Sequence, residues 1–549
     1  MLGRTKKILV WSVVAAVIAA SFFLLYSRFK NQFIHEAINK VNNGDGFYKI
    51  AYDSLYLDEV NGELYILNLK VTPDTALFTG HDWPPNAPAS LISVTAAQLR
   101  ITGVKTPQAL LNKEVSGRRI VISDVDVTLY KLKKDTSGED NESLQSIMYN
   151  DVLSRLKFIQ VDTMSLERIN FRLVNFHKHR ELLSASNASV SLYNVRIDSN
   201  SVMDSSHILF SQNIAASVEK VSIKSNNGRY KYDFAGIELS SFNRSLYIKE
   251  FNLIPAFSES VFMEKLKTQN DRFDFRLANI SLTQIDFSRV TSPALAADSL
   301  VVEQGSFKIY RDLNVPRDSA SRLDQYPHQV VMKIPFDVVI KKTVLRNSFI
   351  EYKERGIKSK NSGKVQFYKV NAAIDNITNE KKALAKNGIA TLDFNASFLN
   401  RAPIKARVAM RLGDQQGRFT IKGSMGKIRV EELNQLTEPM GLAKMEKGTI
   451  NKMEFDIAAT KYHSNGTLVL LYDDLKISLL KKDDDDNSYK KKGLASFAAN
   501  VIVKNANPIK DKVREAHIDY DRNLNRSFFN IIWKSIFAGI KESVGMPQQ

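Results

Sequence analysis

Two histidines, His177 and His179, stand two residues apart, a spacing that turns both imidazoles to one side of a strand. Such a pair ligates a metal ion only with further donors, and no third histidine accompanies it. Asp483–Asp486 puts four carboxylates in a row. Calcium loops instead space their oxygens with intervening residues and a bend glycine, so this run reads as a solvated charged loop. Gly423-Ser424-Met425-Gly426 superficially resembles a nucleophile elbow but lacks the Gly-x-Ser-x-Gly spacing, and reads as a strand turn. Phosphate-cradling, dinucleotide-binding and zinc-helix motifs are absent. There is no cysteine, which removes thiolate metal sites, cysteine nucleophiles and disulfides together. The sequence therefore offers no catalytic, cofactor-binding or metal-binding residues, and we expect a protein that is not an enzyme.

The residues whose pattern does suggest a task are apolar. In Thr467–Leu480 (TLVLLYDDLKISLL), Leu468, Leu470 and Tyr472 share one side of a strand, and Val469 and Leu471 the other. A strand covered by protein on both faces reads this way, and so does one whose face lines a groove for acyl chains. Near the end, Phe529, Ile532, Trp533, Ile536, Phe537 and Ile540 recur at steps of three and four within Arg526–Val544. That is an amphipathic helix, either capping an open sheet edge or lying on a membrane or a partner.

These segments sit in a chain dominated by alternation. Glu63–Val71 (ELYILNLKV) places Leu64, Ile66 and Asn68 on one face and Tyr65, Leu67, Leu69 and Val71 on the other. Similar runs rich in Val, Ile, Phe, Tyr and Thr recur to the C-terminal region, so the body is mostly β. One unit recurs: a strand ending in an aromatic residue followed by a base, at Tyr130-Lys131, Phe171-Arg172, Tyr310-Arg311 and Tyr352-Lys353. Two copies follow a strand and a short helix or turn, at Thr106–Lys113 and Phe287–Leu295. The expected fold is an elongated, twisted antiparallel β sheet or groove with a few short helices.

The chain has 549 residues and a net charge of +18. Its bases are interspersed with acids rather than gathered into a stripe with stacking aromatics, which speaks against nucleic acid and fits attraction to anionic lipid. Ile8–Tyr26 carries no charge and follows Arg4, Lys6 and Lys7. As a helix it would be roughly 28 Å long, enough to cross a bilayer once with its N-terminus in the cytoplasm. A cleaved signal peptide is the competing reading, but the apolar run continues past Ala19-Ala20-Ser21 to Tyr26. The expected divisions are an anchor at 1–30, β regions at 31–132, 133–380 and 381–525, and a helix and tail at 526–549.

With the anchor in front, Tyr52–Pro73 (YDSLYLDEVNGELYILNLKVTP) and Gly417–Leu480 resemble the AsmA-like family of bacterial envelope proteins. In the second segment the resemblance rests on Gly423, Leu433-Asn434, Pro439, the Gly448 turn into Ile450–Ala458, and Gly466 leading to Tyr472-Asp473-Asp474-Leu475-Lys476. Phe529-Asn530 and Trp533-Lys534 also fit. It implies a protein anchored in the inner membrane through residues 8–26, with its body in the periplasm as a β groove. It implies phospholipid as ligand and a role in lipid transport and outer-membrane biogenesis. An anchored scaffold that assists outer-membrane protein assembly is the alternative.

Overall fold

The computed structural model describes residues 48–58, 60–75, 90–104, 114–132, 158–198, 210–289, 294–317, 320–357, 361–439, 443–482, 489–491 and 504–546. The apolar run at 8–26, the expected helix at Thr106–Lys113 and the acidic run Asp483–Asp486 lie outside them. Among the described residues no helix is long and apolar enough to cross a membrane. The chain divides into two compact units, one of residues 1–249 with 285–293 and one of 250–284 with 294–549.

The first unit holds β1 (Tyr48–Ala51), β2 (Ser54–Asp58), β3 (Glu63–Pro73), β4 (Ser90–Thr102), β5 (Glu114–Lys131), β6 (Phe158–Asn175), β7 (Arg180–Ile197), β8 (Ser211–Lys224) and β9 (Tyr230–Ser240); β10 (Ser245–Pro255) crosses the division. The second holds β11 (Arg272–Thr283), β12 (Ala294–Asp312), β13 (Asp337–Arg355), β14 (Ser362–Thr378), β15 (Ile389–Phe398), β16 (Ala402–Arg411), β17 (Phe419–Met425), β18 (Ile428–Arg429), β19 (Ala443–Ala459), β20 (His463–Lys482), β21 (Tyr489–Lys491) and β22 (Glu515–Asp521). The expected β character holds, and helices are few and mostly a turn or two long.

The expectation of an antiparallel sheet needs correction. β5 runs parallel to β6 and β12 runs parallel to β13. Parallel neighbours require a long crossover, and the connections at 132–157 and 313–336 supply it. The four strands of the recurring aromatic-base unit are the four members of these two parallel pairs. Each pair is flanked by antiparallel partners, β4 and β7 in the first unit, β11 and β14 in the second. Matching ion pairs bridge them, Arg168 to Asp124 at 2.6 Å and Arg346 to Glu303 at 2.7 Å.

A second correction concerns the strand faces. Asn68 adopts φ 51°, and beyond it the alternation resets. Leu64, Ile66, Leu69 and Val71 therefore pair with Ile101, Leu99, Ala96 and Val94 and share one face, whereas strict alternation had divided them. The same left-handed interruption recurs at Asp124, Arg168 and Asn187 in the first unit, and at Asn279, Asn347 and Lys369 in the second. Each moves the next side chain to the other face, and near Arg168, Asn187, Asn347 and Lys369 the pairing register also shifts, as at a bulge.

Candidate functional site: an apolar sheet face

Residues directly opposite one another in neighbouring strands point to the same side of a sheet. Following the register across the first unit gives a row Ile92–Leu129–Leu173–Leu183–Ile223–Tyr232 from β4 to β9. Parallel to it runs Val94–Val127–Phe171–Ala185–Val221–Phe234. Between them, on the opposite face, stands Ser93–Thr128–Arg172–Ser184–Ser222–Asp233. The unit thus has one polar face and one apolar face, and no charged side chain stands in the apolar rows.

Burial of this face falls along the strand order. Leu99, Ile122, Val125, Val127 and Leu129 on β4 and β5 are buried in a core cluster. Leu166, Ile169, Phe171 and Leu173 on β6 are half-buried, as are Val190, Val218, Phe234 and Ile237 on β7 to β9. From β6 onward the side chains of the apolar face keep part of their surface exposed.

The second unit repeats the arrangement. One row reads Ile280–Val302–Leu345–Ala372–Phe394–Ala406–Gly423–Phe455–Leu468–Ala516, ten strands without a polar side chain. Its opposite face carries Asp393–Arg407–Lys422–Asp456–Thr467–His517. Half-buried aromatics line the apolar face at its β11 side: Phe275 and Phe307 have ring centroids 5.3 Å apart, and Phe367 lies 5.6 Å from Phe398. Gly423 leaves room in its row for the Phe455 ring, since a Cβ there would stand 2.3 Å from the ring tip and the ring would have to shift. This explains the Gly-Ser-Met-Gly segment structurally: its glycine seats an aromatic ring.

At the other end the apolar face is closed. The C-terminal helix, Phe528–Ser543, lies on β20 and β22. Beneath it Leu468, Leu470 and Tyr472 are 0–2% exposed. The Tyr472 hydroxyl lies 3.1 Å from the Lys504 carbonyl and 3.2 Å from that of Ser543, and accepts from Arg514 Nη2 at 3.1 Å. Burial pushes its pKa up. These three residues are on the apolar face, but a side chain with no free surface does not line an open groove here. Val469 and Leu471 stand on the polar face, opposite Glu454 and Lys452. The double apolar pattern of this strand thus combines a sealed face with a half-exposed one.

Other chemistry suggested by residue type is absorbed structurally. The His177 Nε2 lies 3.0 Å from the Leu132 carbonyl and its ring packs edge-on to Phe176, while His179 sits at φ 46° in the β6–β7 turn. No group of three or more potential metal ligands occurs among the described residues. A concavity of about 510 Å³ on the polar face is lined by residues including Asp393, Arg407, Lys422 and Asp456. Four of its charges form two pairs, Lys422 with Asp456 at 2.7 Å and Arg407 with Asp393 at 3.6 Å.

The aromatics Phe275, Phe307, Phe367 and Phe394 were not singled out from sequence. The available signal was a spacing of three rather than two between apolar residues flanking Asn or Lys, as in Leu277–Ile280 and Phe367–Val370. No protein-family model matches the chain, and no curated protein matches it. The likeness to the AsmA-like family rests on the segments Tyr52–Pro73 and Gly417–Leu480 and on the terminal helix.

Proposed function

We propose that this is a non-enzymatic envelope protein that holds phospholipid acyl chains against the apolar face of its sheet. In this reading residues 8–26 anchor it in the bacterial inner membrane, the body lies in the periplasm, and it supports lipid transport and outer-membrane biogenesis. One observation carries the reading: rows of uncharged, mostly apolar side chains continue from strand to strand on one face within each unit, and from β6 to β9 and from β11 to β15 most of them stay half-exposed. Half-exposed apolar side chains in continuous rows are costly in water. Each acyl CH₂ laid on them is worth about 0.8 kcal/mol, so affinity needs few directed contacts and headgroup selectivity is low.

The scaffold alternative needs a sheet edge that accepts a partner strand. Among the described residues β22 pairs only with β20, and it carries Glu515, His517, Asp519 and Asp521 at alternate positions. Charges along an edge discourage strand addition, so the lipid reading is favoured.

The test is photocrosslinking in cells with the full chain. A benzophenone side chain replaces Phe307 on the apolar face or Lys308 on the polar face. Labelled phospholipid should attach at 307 and not at 308. Equal labelling at both positions, or none at either, overturns the proposal.

A further inference from the structure

The C-terminal helix is seated the wrong way round for a simple cap. The side chains it buries are Ile531, Ser535, Ala538, Gly539 and Ser543, mostly small, and Gly539 brings the helix so close that a Cβ there would stand 2.8 Å from Leu468 Cβ. Ile532, Ile536 and Ile540 flank this contact and pack against the core beside it. Of the large rings, Phe528 packs inward on Tyr326 and Phe419, and the others turn outward. Phe529 is 70% and Trp533 39% exposed, and Trp533 stacks on Phe537 with ring centroids 5.8 Å apart at 19°. The residues expected to form one membrane or partner face are thus divided. The isoleucines hold the helix on the protein, and the aromatics form an outward ridge.

We propose that this ridge, Phe529, Trp533 and Phe537 with Lys534 and Lys541 beside it, docks on the surface of a bilayer rich in anionic lipid. The ammonium groups of Lys534 and Lys541 each lie 5.7 Å from the centre of the Phe537 ring. The helix's only acid, Glu542, falls on the opposite side from Trp533 at about 100° per residue. The helix thus sets its aromatic ridge beside two lysines and turns its one acid away from Trp533. Trp and Phe rings with lysines at their margin match the boundary between headgroups and acyl chains. The ridge steps by four residues along a convex helix for about 12 Å, a shape that lies along a deformable plane more readily than it fills a protein pocket. Burial and the neighbouring Lys534 both lower the Lys541 pKa, and anionic headgroups would relieve the second effect. The proposal does not depend on the apolar sheet face carrying lipid.

The test uses the full chain with Trp11→Phe and Trp83→Phe, which leaves Trp533 as the sole indole. It is reconstituted in vesicles, with brominated acyl chains in both host and added acceptor vesicles so that either surface is within reach. With phosphatidylethanolamine and phosphatidylglycerol, Trp533 emission should fall by about half; with phosphatidylcholine alone it should change little. Lys534→Glu with Lys541→Glu should abolish the quenching while leaving thermal unfolding and crosslinking at position 307 unchanged. Absence of quenching with phosphatidylglycerol overturns the membrane assignment and leaves the ridge to a protein partner. Equal quenching in both lipids, insensitive to the lysine substitutions, overturns the role given to charge.

Discussion

Ser464 Oγ on β20 and Ser535 Oγ on the C-terminal helix meet at 2.6 Å, with no exposed surface on either residue. The Ser535 hydroxyl also lies 2.7 Å from the Ile531 carbonyl, so a small polar contact sits at the centre of the helix–sheet seam. A larger residue there has nowhere to go. Ser535→Leu and Gly539→Leu should each lower stability by about 1–3 kcal/mol through overpacking. Ser535→Ala should cost only about 1 kcal/mol, the worth of the hydrogen bond. Urea unfolding separates these outcomes; a Gly539→Leu protein as stable as its parent would mean that the helix is not seated on Leu468.

The left-handed residues that reset the alternation offer a test of the sheet's geometry. Lys369 is held at φ 49° and its side chain is exposed. An L-residue pays about 1–2 kcal/mol for that conformation, and a β-branched one pays most. Lys369→Val should therefore destabilise by about 1–2 kcal/mol, although valine ordinarily favours strands. Lys369→Gly should be neutral or stabilising by up to about 1 kcal/mol, because relief of strain offsets added freedom in the unfolded chain. Denaturant midpoints of the two variants should fall on opposite sides of, or one below and one at, the parent value. A valine variant that gained stability would exclude the bulge.

These resets explain what the sequence shows and what it hides. Alternation in Tyr230–Leu239 or Phe273–Leu282 marks strands plainly, and the C-terminal helix begins and ends within two residues of its apolar pattern. Faces were less legible, because a single αL residue such as Asn68 shifts every later side chain across the sheet. The parallel pairs were hidden for a different reason. Parallel and antiparallel neighbours present the same side-chain period, and only the length of a connection separates them. The candidate groove was placed on β20, where both faces looked apolar. Long-range contacts with the terminal helix seal that strand's inner face, and the half-exposed stretch lies on strands whose local pattern was ordinary.

Arg311 and Asp271 form a two-pronged ion pair, Nε to Oδ1 at 2.6 Å and Nη2 to Oδ2 at 2.8 Å, with the arginine side chain 8% exposed. Nearby Tyr352 is largely withdrawn from water and its pKa is raised by burial and by Glu354. Leaving one buried charge without its partner is far worse than removing both. Arg311→Met should cost about 3–5 kcal/mol, whereas Arg311→Met with Asp271→Leu should recover most of the loss. A double-mutant cycle on urea unfolding measures the coupling, and additive losses would show that the pair does not act as a unit.

The acid limb of stability should be governed in part by His328, on the short helix Pro327–Val331. Its side chain is buried, and neither ring nitrogen has a well-formed hydrogen bond among the described residues. Tyr326 lies edge-tilted against it with ring centroids 5.9 Å apart. Burial lowers its pKa, outweighing the backbone at Gly417 and the Asp414 carboxylate, both of which favour the charged form. The unfolded chain therefore binds the proton more readily than the folded one. Stability rises with pH wherever the unfolded state holds more protons. The contribution is complete above the ordinary imidazole value of 6.5 and is lost as pH falls from there through the depressed folded value. Asp414, held down to about 2 by Arg418, adds a separate loss only below the ordinary carboxylate value of 3.8. As pH falls below 6.5 the urea midpoint of the parent protein should thus fall more than that of His328→Phe, and the two curves should run parallel only below the depressed folded value. Identical profiles for parent and variant from pH 7 to 5 would show that His328 accepts its proton as easily folded as unfolded.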